Sequence, residues 1–158
     1  MFDILPLDEM FRLWANDLID REWGPPGIVT RGKLHETAAL SGFVAIEKNE
    51  PIGLLTYNLE KNECEIVSLN SLKEKRGVGS ALIEAIVQAA KTNRCQRVFV
   101  ITTNDNTHAL RFYQKRGFRI CAVYPNALET SRKLKPSIPL TGIDDIPLRD
   151  EIELEYVL

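Results

Sequence analysis

The sequence predicts an α+β (mixed α/β) protein, a central mixed sheet of about seven strands flanked by helices on both faces. Three observations carry this. A strand and a helix are followed by a three-strand meander and then by strands alternating with helices. "RVFVITT", residues 97–103, is a near-continuous apolar run, as in a central strand buried on both faces. Two segments, 77–91 and 107–116, have apolar residues at helical spacing between such strands.

Each element has its own signal. "FDIL" forms a short opening strand, and from Asp8 to Glu22 the residues Met10, Trp14 and Leu18, with Phe11, recur at helical spacing behind Asp8 as cap. "WGPPG", residues 23–27, stops that helix, and the next fifteen residues show no clear period. "GFVAIEK" and "PIGLLTYNLE", separated by "NE", read as an antiparallel hairpin, which a third strand from Glu63 to Leu69 extends. From Gly77 to Lys91 the positions Val78, Leu82, Ala85, Ile86 and Ala89 make one helix face, ended by "KTNR". The helix over 107–116 is closed by Gly117, "FRICAVY" is a further strand, and "EIELEYV" alternates like a half-exposed one.

Size and charge narrow the function. With 158 residues, 44% of them hydrophobic, the chain suits one domain over residues 1–158. Twenty Lys and Arg against 22 Asp and Glu leave a formal charge of −2, far from a general nucleic-acid binder, so an anion site must be local. "MFDILPLDEM" is acidic where a secretory signal is basic, and no apolar run reaches bilayer length. The expectation is a cytoplasmic protein with no membrane or nucleic-acid partner. Cys64, Cys95 and Cys121, widely spaced and with only His35 and His108 as histidines, predict reduced, mostly buried thiols and no metal site.

The chemistry-bearing stretch is "KEKRGVGSALIEAI", residues 73–86, where Gly77 and Gly79 stand between a basic cluster and a helix start. One reading is a plain turn into the helix. A phosphate-binding P-loop fails, because Gly79 is followed by Ser80 and Ala81, and the dinucleotide fingerprint is weak, because Leu82 stands where a third small residue belongs. There remains a loop whose amides from Lys75 to Ser80 wrap a pyrophosphate at the helix start, with Lys73, Lys75 and Arg76 adding charge.

"EKRGVGSAL", residues 74–82, resembles the acetyl-coenzyme A pyrophosphate loop of the GNAT N-acetyltransferases, usually Gln or Arg, two residues, Gly, one residue, Gly or Ala. "NDNTHALRFYQKRGF", residues 104–118, is similar to that family's later segment, with Asn106, Ala109, Tyr113, Gly117 and Phe118 at the recurring positions. The resemblance covers roughly residues 42–124 well and the flanks poorly. Glu74 departs from it, because a carboxylate near a pyrophosphate is unfavourable. The loop tolerates it if the phosphates are held by backbone amides and Glu74 points outward.

The resemblance implies acetyl transfer from acetyl-coenzyme A to a primary amine, by direct attack in a ternary complex. It implies donor binding by Lys75, Arg76, Gly77, Val78, Gly79 and Ser80 in the loop, by Val67 and Leu69 on the preceding strand, and by Asn104 and Asn106 in the second motif. In the family, parallel strands splay beside the pantetheine arm, so an amide near Leu69 is the expected oxyanion donor. Tyr113 matches the tyrosine that often protonates the leaving sulfur, the alternative being a core tyrosine beside Phe112. Carboxylates on the strand before the loop serve many relatives as base. Glu65 is the first choice and Glu63 the second, against the alternatives of two solvated edge glutamates or no dedicated base. A non-catalytic acyl-coenzyme A sensor or interaction module remains the competing class.

The acceptor is less legible. Residues 125–150 form a long connection, expected beside the irregular stretch 24–41 at the acceptor mouth. The expectation is a small amine rather than a protein, its own anionic group met by Arg31, Arg132 or Arg149, with a solvated surface as the alternative and a homodimer left open.

Overall fold

Loop and turn chemistry divides the chain into nine strands and four helices, seen in a computed structural model that describes residues 1–158. In chain order these are β1 (Asp3–Pro6), α1 (Glu9–Trp23), β2 (Ile28–Thr30), β3 (Lys33–His35), β4 (Ser41–Glu47), β5 (Glu50–Glu60) and β6 (Glu63–Ser71). Then follow α2 (Val78–Thr92), β7 (Arg97–Thr103), α3 (Thr107–Lys115), β8 (Arg119–Tyr124), α4 (Ala127–Leu134) and β9 (Glu151–Val157). Seven strands form one mixed sheet, ordered β1-β4-β5-β6-β7-β9-β8, while β2 and β3 pair separately. Only β6 and β7 are parallel.

Asp8 caps α1 as expected, accepting from the Met10 amide at 3.0 Å. The buried stripe differs from the predicted one. Ala15, Leu18 and Ile19 face Leu54 and Val67 of the sheet and Ile28 of the hairpin, whereas Met10 is 79% exposed and Trp14 half-buried. On the opposite face α2 buries Val78, Leu82, Ile83, Ile86, Val87 and Ala90 against Leu55, Ile66, Val98 and Leu154, and α3 adds Tyr113.

Three tight turns each use two consecutive residues with positive φ, the backbone that matches the twist of paired strands. They are Arg31–Gly32 between β2 and β3, Lys48–Asn49 between β4 and β5, and Lys61–Asn62 between β5 and β6. The β4–β5 turn therefore falls at Lys48–Asn49 rather than at the predicted "NE". The β2–β3 hairpin occupies a stretch read as irregular. Its first turn position is an arginine, which disguises the signal that Asn or Asp before Gly would give.

The last strand is corrected too. It is not half-exposed, because β9 lies between β7 and β8, and Glu151, Glu153 and Leu154 on it are all buried. Its glutamate face meets cations. Arg97 donates to Glu63, to Glu153 at 2.7 Å and to Glu155 at 3.1 Å, and Arg31 pairs with Glu153 at 3.4 Å. The edge strand on this side is β8, with Ile120, Cys121 and Val123 exposed. The expectation of mostly buried thiols thus fails at Cys121 but describes Cys64, whose thiol burial pushes up to about 12.

One irregularity shapes the site. Pairing of β6 with β7 runs from Glu63↔Arg97 to Ile66↔Val100 and stops, although β6 continues to Ser71 and β7 to Thr103. A bulge between β5 and β6 leaves Val67 unmatched at the same level. The two strands therefore separate in the middle of the sheet. No helix is long and apolar enough to cross a membrane.

Candidate active site

A cleft of about 500 Å³ lies between the β6–α2 loop and α3. Gly77 caps the start of α2 with φ +79 and no capping side chain, and Lys75 before it is also left-handed. A Cβ on Gly77 would meet nothing within 4 Å, so its requirement is conformational. The first bond within the helix from this cap runs from the Ala81 amide to Gly77 O at 3.0 Å. The amides of Val78, Gly79 and Ser80 thus have no partner inside the helix and stand at its positive end. Gly79 does a different job. A Cβ there would lie 2.9 Å from two ring carbons of Phe112, so this glycine lets α2 and α3 approach.

Side chains sort the loop's charges. Lys73, Lys75, Arg111, Lys115 and Arg116 line the cleft, with Glu74 the one carboxylate among them. Glu74 stays on the exposed rim. Arg76, expected at the donor, does not line the cleft. It pairs with Glu47, which Lys73 also contacts, and hydrogen bonds from these two hold the Glu47 carboxyl down at about 2. Ser80 lies outside the lining as well, its Oγ accepting from Arg116 Nε at 3.0 Å while the Arg116 guanidinium stacks 3.6 Å from the Phe112 ring centre. Asn104 is also absent from the cleft. Its Nδ2 donates to Pro147 O, and its Oδ1 accepts from the Arg149 and Asp150 amides, which ties the 147–150 segment to the end of β7. Asn106 does line it, and caps α3 by accepting from the Ala109 amide at 3.0 Å.

A second cleft, of about 660 Å³, opens on the other side of the strand separation, between β6, β7, the β2–β3 hairpin and residues 128–148. Val67 lines it, and Leu69, Asn106, Ala109 and Tyr113 line both clefts. The two clefts meet where the strands part. The Leu72 amide donates to Ile52 O at 2.9 Å, and Leu69 pairs with Leu55 three positions along the same ladder. By the two-residue alternation of a strand, the Leu69 amide faces away from β5, toward the side β7 has left open. Tyr113 is buried between Phe112 and Phe118, with ring centres 5.1 and 5.3 Å away, and burial raises its phenol well above the ordinary value.

The two expected bases have different surroundings. Glu65 is buried, and its Oε2 accepts from Thr30 Oγ1 at 2.7 Å. His35, also buried, lies 2.8 Å from the same Thr30 oxygen and 3.4 Å from Glu65 Oε1 through Nε2. Since the single threonine hydrogen goes to Glu65, the Nε2 of His35 donates to the threonine. Thr30 itself lines the second cleft, so Glu65 reaches it through that hydroxyl. Glu63 lines neither cleft and is held by Arg97.

The sequence matches the Acetyltransferase (GNAT) family over residues 7–118. The chain belongs to that family. It is 41% identical over 159 residues to the uncharacterized protein YdhI of Bacillus subtilis (strain 168), covering 100% of this chain and 99% of the other. It is 39% identical to YxbD of the same organism, with 96% of each chain covered. Among solved structures, a GNAT family acetyltransferase from Elizabethkingia anophelis with acetyl-CoA bound superposes at a TM-score of 0.71, with 22% identity and 99% and 98% of the two chains covered. A Bacillus subtilis acetyltransferase in complex with CoA gives 0.70, with 22% identity and 100% and 99% covered. The architecture of this GNAT protein, a seven-stranded mixed sheet with four helices, is theirs.

Three residues of the GNAT protein's second cleft have partners that local sequence does not show. Glu151 is 2% exposed, lines the cleft and accepts from the Arg31 amide, with burial raising its carboxyl above the ordinary range. Lys135 is 5% exposed and donates to the carbonyls of Trp23, Gly24 and Gly27. Thr30 is the hydroxyl link to Glu65. Thr30 sits in the disguised hairpin, and Glu151 in the strand whose alternation suggests solvent. Lys135 belongs to the basic residues of the 125–150 connection, but nothing near it in sequence marks the three carbonyls it binds.

Proposed function

We propose that this GNAT protein transfers an acetyl group from acetyl-coenzyme A to the nitrogen of a primary amine, by direct attack with both substrates bound. The observation that carries this reading is the meeting of two clefts at Leu69 and Tyr113, where β6 and β7 separate. The residues of the first cleft suit the donor. Unpartnered amides at the start of α2, a Gly77 with open space where a side chain would be, and five cations fit a diphosphate. Acetyl-coenzyme A supplies the acetyl group as an activated thioester.

This chain's residues then divide the remaining work. The amides from Val78 to Ser80, with Lys75, hold the diphosphate, and the side chains of Arg76, Ser80 and Asn104 support the loop and sheet around it. The free amide of Leu69 donates to the carbonyl oxygen as charge develops there. Glu65 receives the amine's first proton through Thr30, whose hydroxyl hydrogen it already accepts, with His35 donating to the threonine oxygen. Tyr113, kept neutral by burial, delivers a proton to the departing sulfur and recovers one from the acylated nitrogen. Overall a C–N bond replaces the thioester C–S bond, and an acceptor that enters as an ammonium gives up two protons, one to Glu65 and one to the sulfur. The work is done within one domain, and the acceptor is a small amine rather than a protein.

Initial-rate kinetics of Tyr113→Phe and Thr30→Val, with donor affinity measured by calorimetry, test these roles. The account expects turnover to fall by roughly 10²-fold or more, in the range of a lost proton-transfer group, with donor affinity changed less than twofold. Turnover equal to that of the unaltered protein in either variant removes that residue from the mechanism. Binding of acetyl-coenzyme A with no acetylated product from any amine favours the non-catalytic sensor instead.

A further inference from the structure

From the second cleft we infer the class of acceptor. It is a monoamine with an apolar body and no anionic substituent, its ammonium group drawn in by Glu151. This rests on the reading of the clefts as donor and acceptor sites.

The walls come first. Trp23, Ile28, Leu128, Ile138, Ile143 and Leu148 give the cleft a largely apolar surface. Residues 138–148 are a fixed wall. Arg132 donates to the carbonyls of Ile138, Pro139 and Leu148, and Asp105 Oδ2 accepts from the Ile143 amide at 2.9 Å. A Cβ on Gly142 would lie 2.1 Å from that same Asp105 oxygen, so the wall is closed against the sheet with no room to spare.

The charges decide the class. Lys135 is the one cation in the lining, and a lysine ammonium has three hydrogens. All three go to backbone carbonyls, of Trp23, of Gly24 at 3.1 Å and of Gly27 at 2.7 Å, so none is left for a substrate carboxylate. The arginines expected to receive such a group are elsewhere. Arg132 is spent on the wall, Arg149 pairs with Asp150 at 3.0 Å, and Arg31 pairs with Glu153 and stacks on Tyr124, with none of the three lining this cleft. On the acidic side, Glu22 lines the cleft but is exposed to solvent, where its charge is screened, and both oxygens of Asp105 are taken by Thr103 and Ile143. Glu151 is different: its two oxygens share a single donor, the Arg31 amide, at 3.1 and 3.3 Å. A buried carboxylate with unused acceptor capacity in an apolar cleft attracts a cation and repels an anion. An acceptor carrying its own carboxylate would bury that charge unpaired beside Glu151.

The experiment compares matched amines with and without a carboxylate, phenethylamine against phenylalanine and isoamylamine against leucine, plus a short peptide with a free amino terminus. Coenzyme A release and product mass are followed for the intact protein with acetyl-coenzyme A. The inference expects kcat/KM at least tenfold higher for each apolar monoamine than for its carboxylated counterpart. It also expects Glu151→Gln to raise KM for phenethylamine at least tenfold while leaving acetyl-coenzyme A affinity unchanged. Equal or better turnover of phenylalanine, leucine or the peptide overturns the inference while leaving N-acetyl transfer standing. If no amine is acetylated, the transferase reading fails on its own, and equilibrium dialysis of phenethylamine decides the acceptor class. Binding lost in Glu151→Gln supports it, and no binding, or binding that Glu151→Gln leaves intact, overturns it.

Discussion

Gly77 and Gly79 stand one residue apart in the motif yet are held by different physics, and alanine at each should separate the two. At Gly77 a side chain would meet open space, so the cost of alanine is that of a left-handed backbone, about 1–2 kcal/mol. For a chain of this length that lowers Tm by roughly 2–8 °C. Relief of the strain would rotate the first amides of α2, so donor affinity should fall as well. At Gly79 the backbone is helical and the obstacle is the Phe112 ring, 2.9 Å from the added carbon and backed by the Arg116 guanidinium. Overpacking of this kind costs about 1–3 kcal/mol. Because Phe112 and Arg116 line the first cleft, where we place the donor, affinity should fall here through displaced side chains rather than displaced amides. Gly32→Ala is the control, with φ +72 in the β2–β3 turn and only Thr130 Cγ2 nearby at 3.9 Å. It should lose stability like Gly77→Ala but keep donor affinity. Urea denaturation and calorimetric titration with acetyl-coenzyme A measure both quantities. Donor affinity in Gly77→Ala equal to that in Gly32→Ala would refute the assignment of the α2 amides to the diphosphate.

Two further outcomes follow from buried charges. Lys135→Met leaves three carbonyls without their donor and should cost about 3 kcal/mol or more, at about 1–3 kcal/mol for each unsatisfied group; a urea midpoint within error of the unaltered protein would show that water replaces the ammonium freely. Glu47, whose folded pKa is depressed to about 2 from 4.5, contributes stability that is present above about pH 4.5 and lost as pH falls through about 2. Glu47→Gln should therefore reduce stability at neutral pH and flatten the acid limb of the Tm–pH curve, and an unchanged acid limb would contradict the Lys73–Glu47–Arg76 arrangement.

The sheet, both site helices and the glycine-containing turn into α2 were legible because their signals are local. The apolar run 97–103 has the length and β-branched content of a buried strand, and the spacing from Val78 to Ala89 is that of a helix. Roles that depend on spatial partners were not. His35 has no chemical partner in nearby sequence apart from Thr30, and its place beside Glu65 comes from a hairpin folding onto β6. Arg76 and Ser80 lie inside the motif yet turn away from the cleft, because Glu47 and Arg116, distant in sequence, hold them there. Asn104 and Asn106 look equivalent in the second motif, but one ties down the 147–150 segment and the other caps α3 at the cleft. The face of β9 was misread for the same reason. Alternating glutamates imply solvent unless cations cover them, and Arg97 and Arg31 come from other elements.

In the mechanism proposed above, acetyl transfer to an amine nitrogen takes place at the junction of the two clefts. The most direct measurement is mass spectrometry of the protein incubated with acetyl-coenzyme A and a mixed library of primary amines, with coenzyme A release measured in parallel. An N-acetylated amine should form in equal amount to the coenzyme A released, with both reduced together in Tyr113→Phe. Binding of acetyl-coenzyme A with no acetylated amine, or coenzyme A released to water alone, would contradict it.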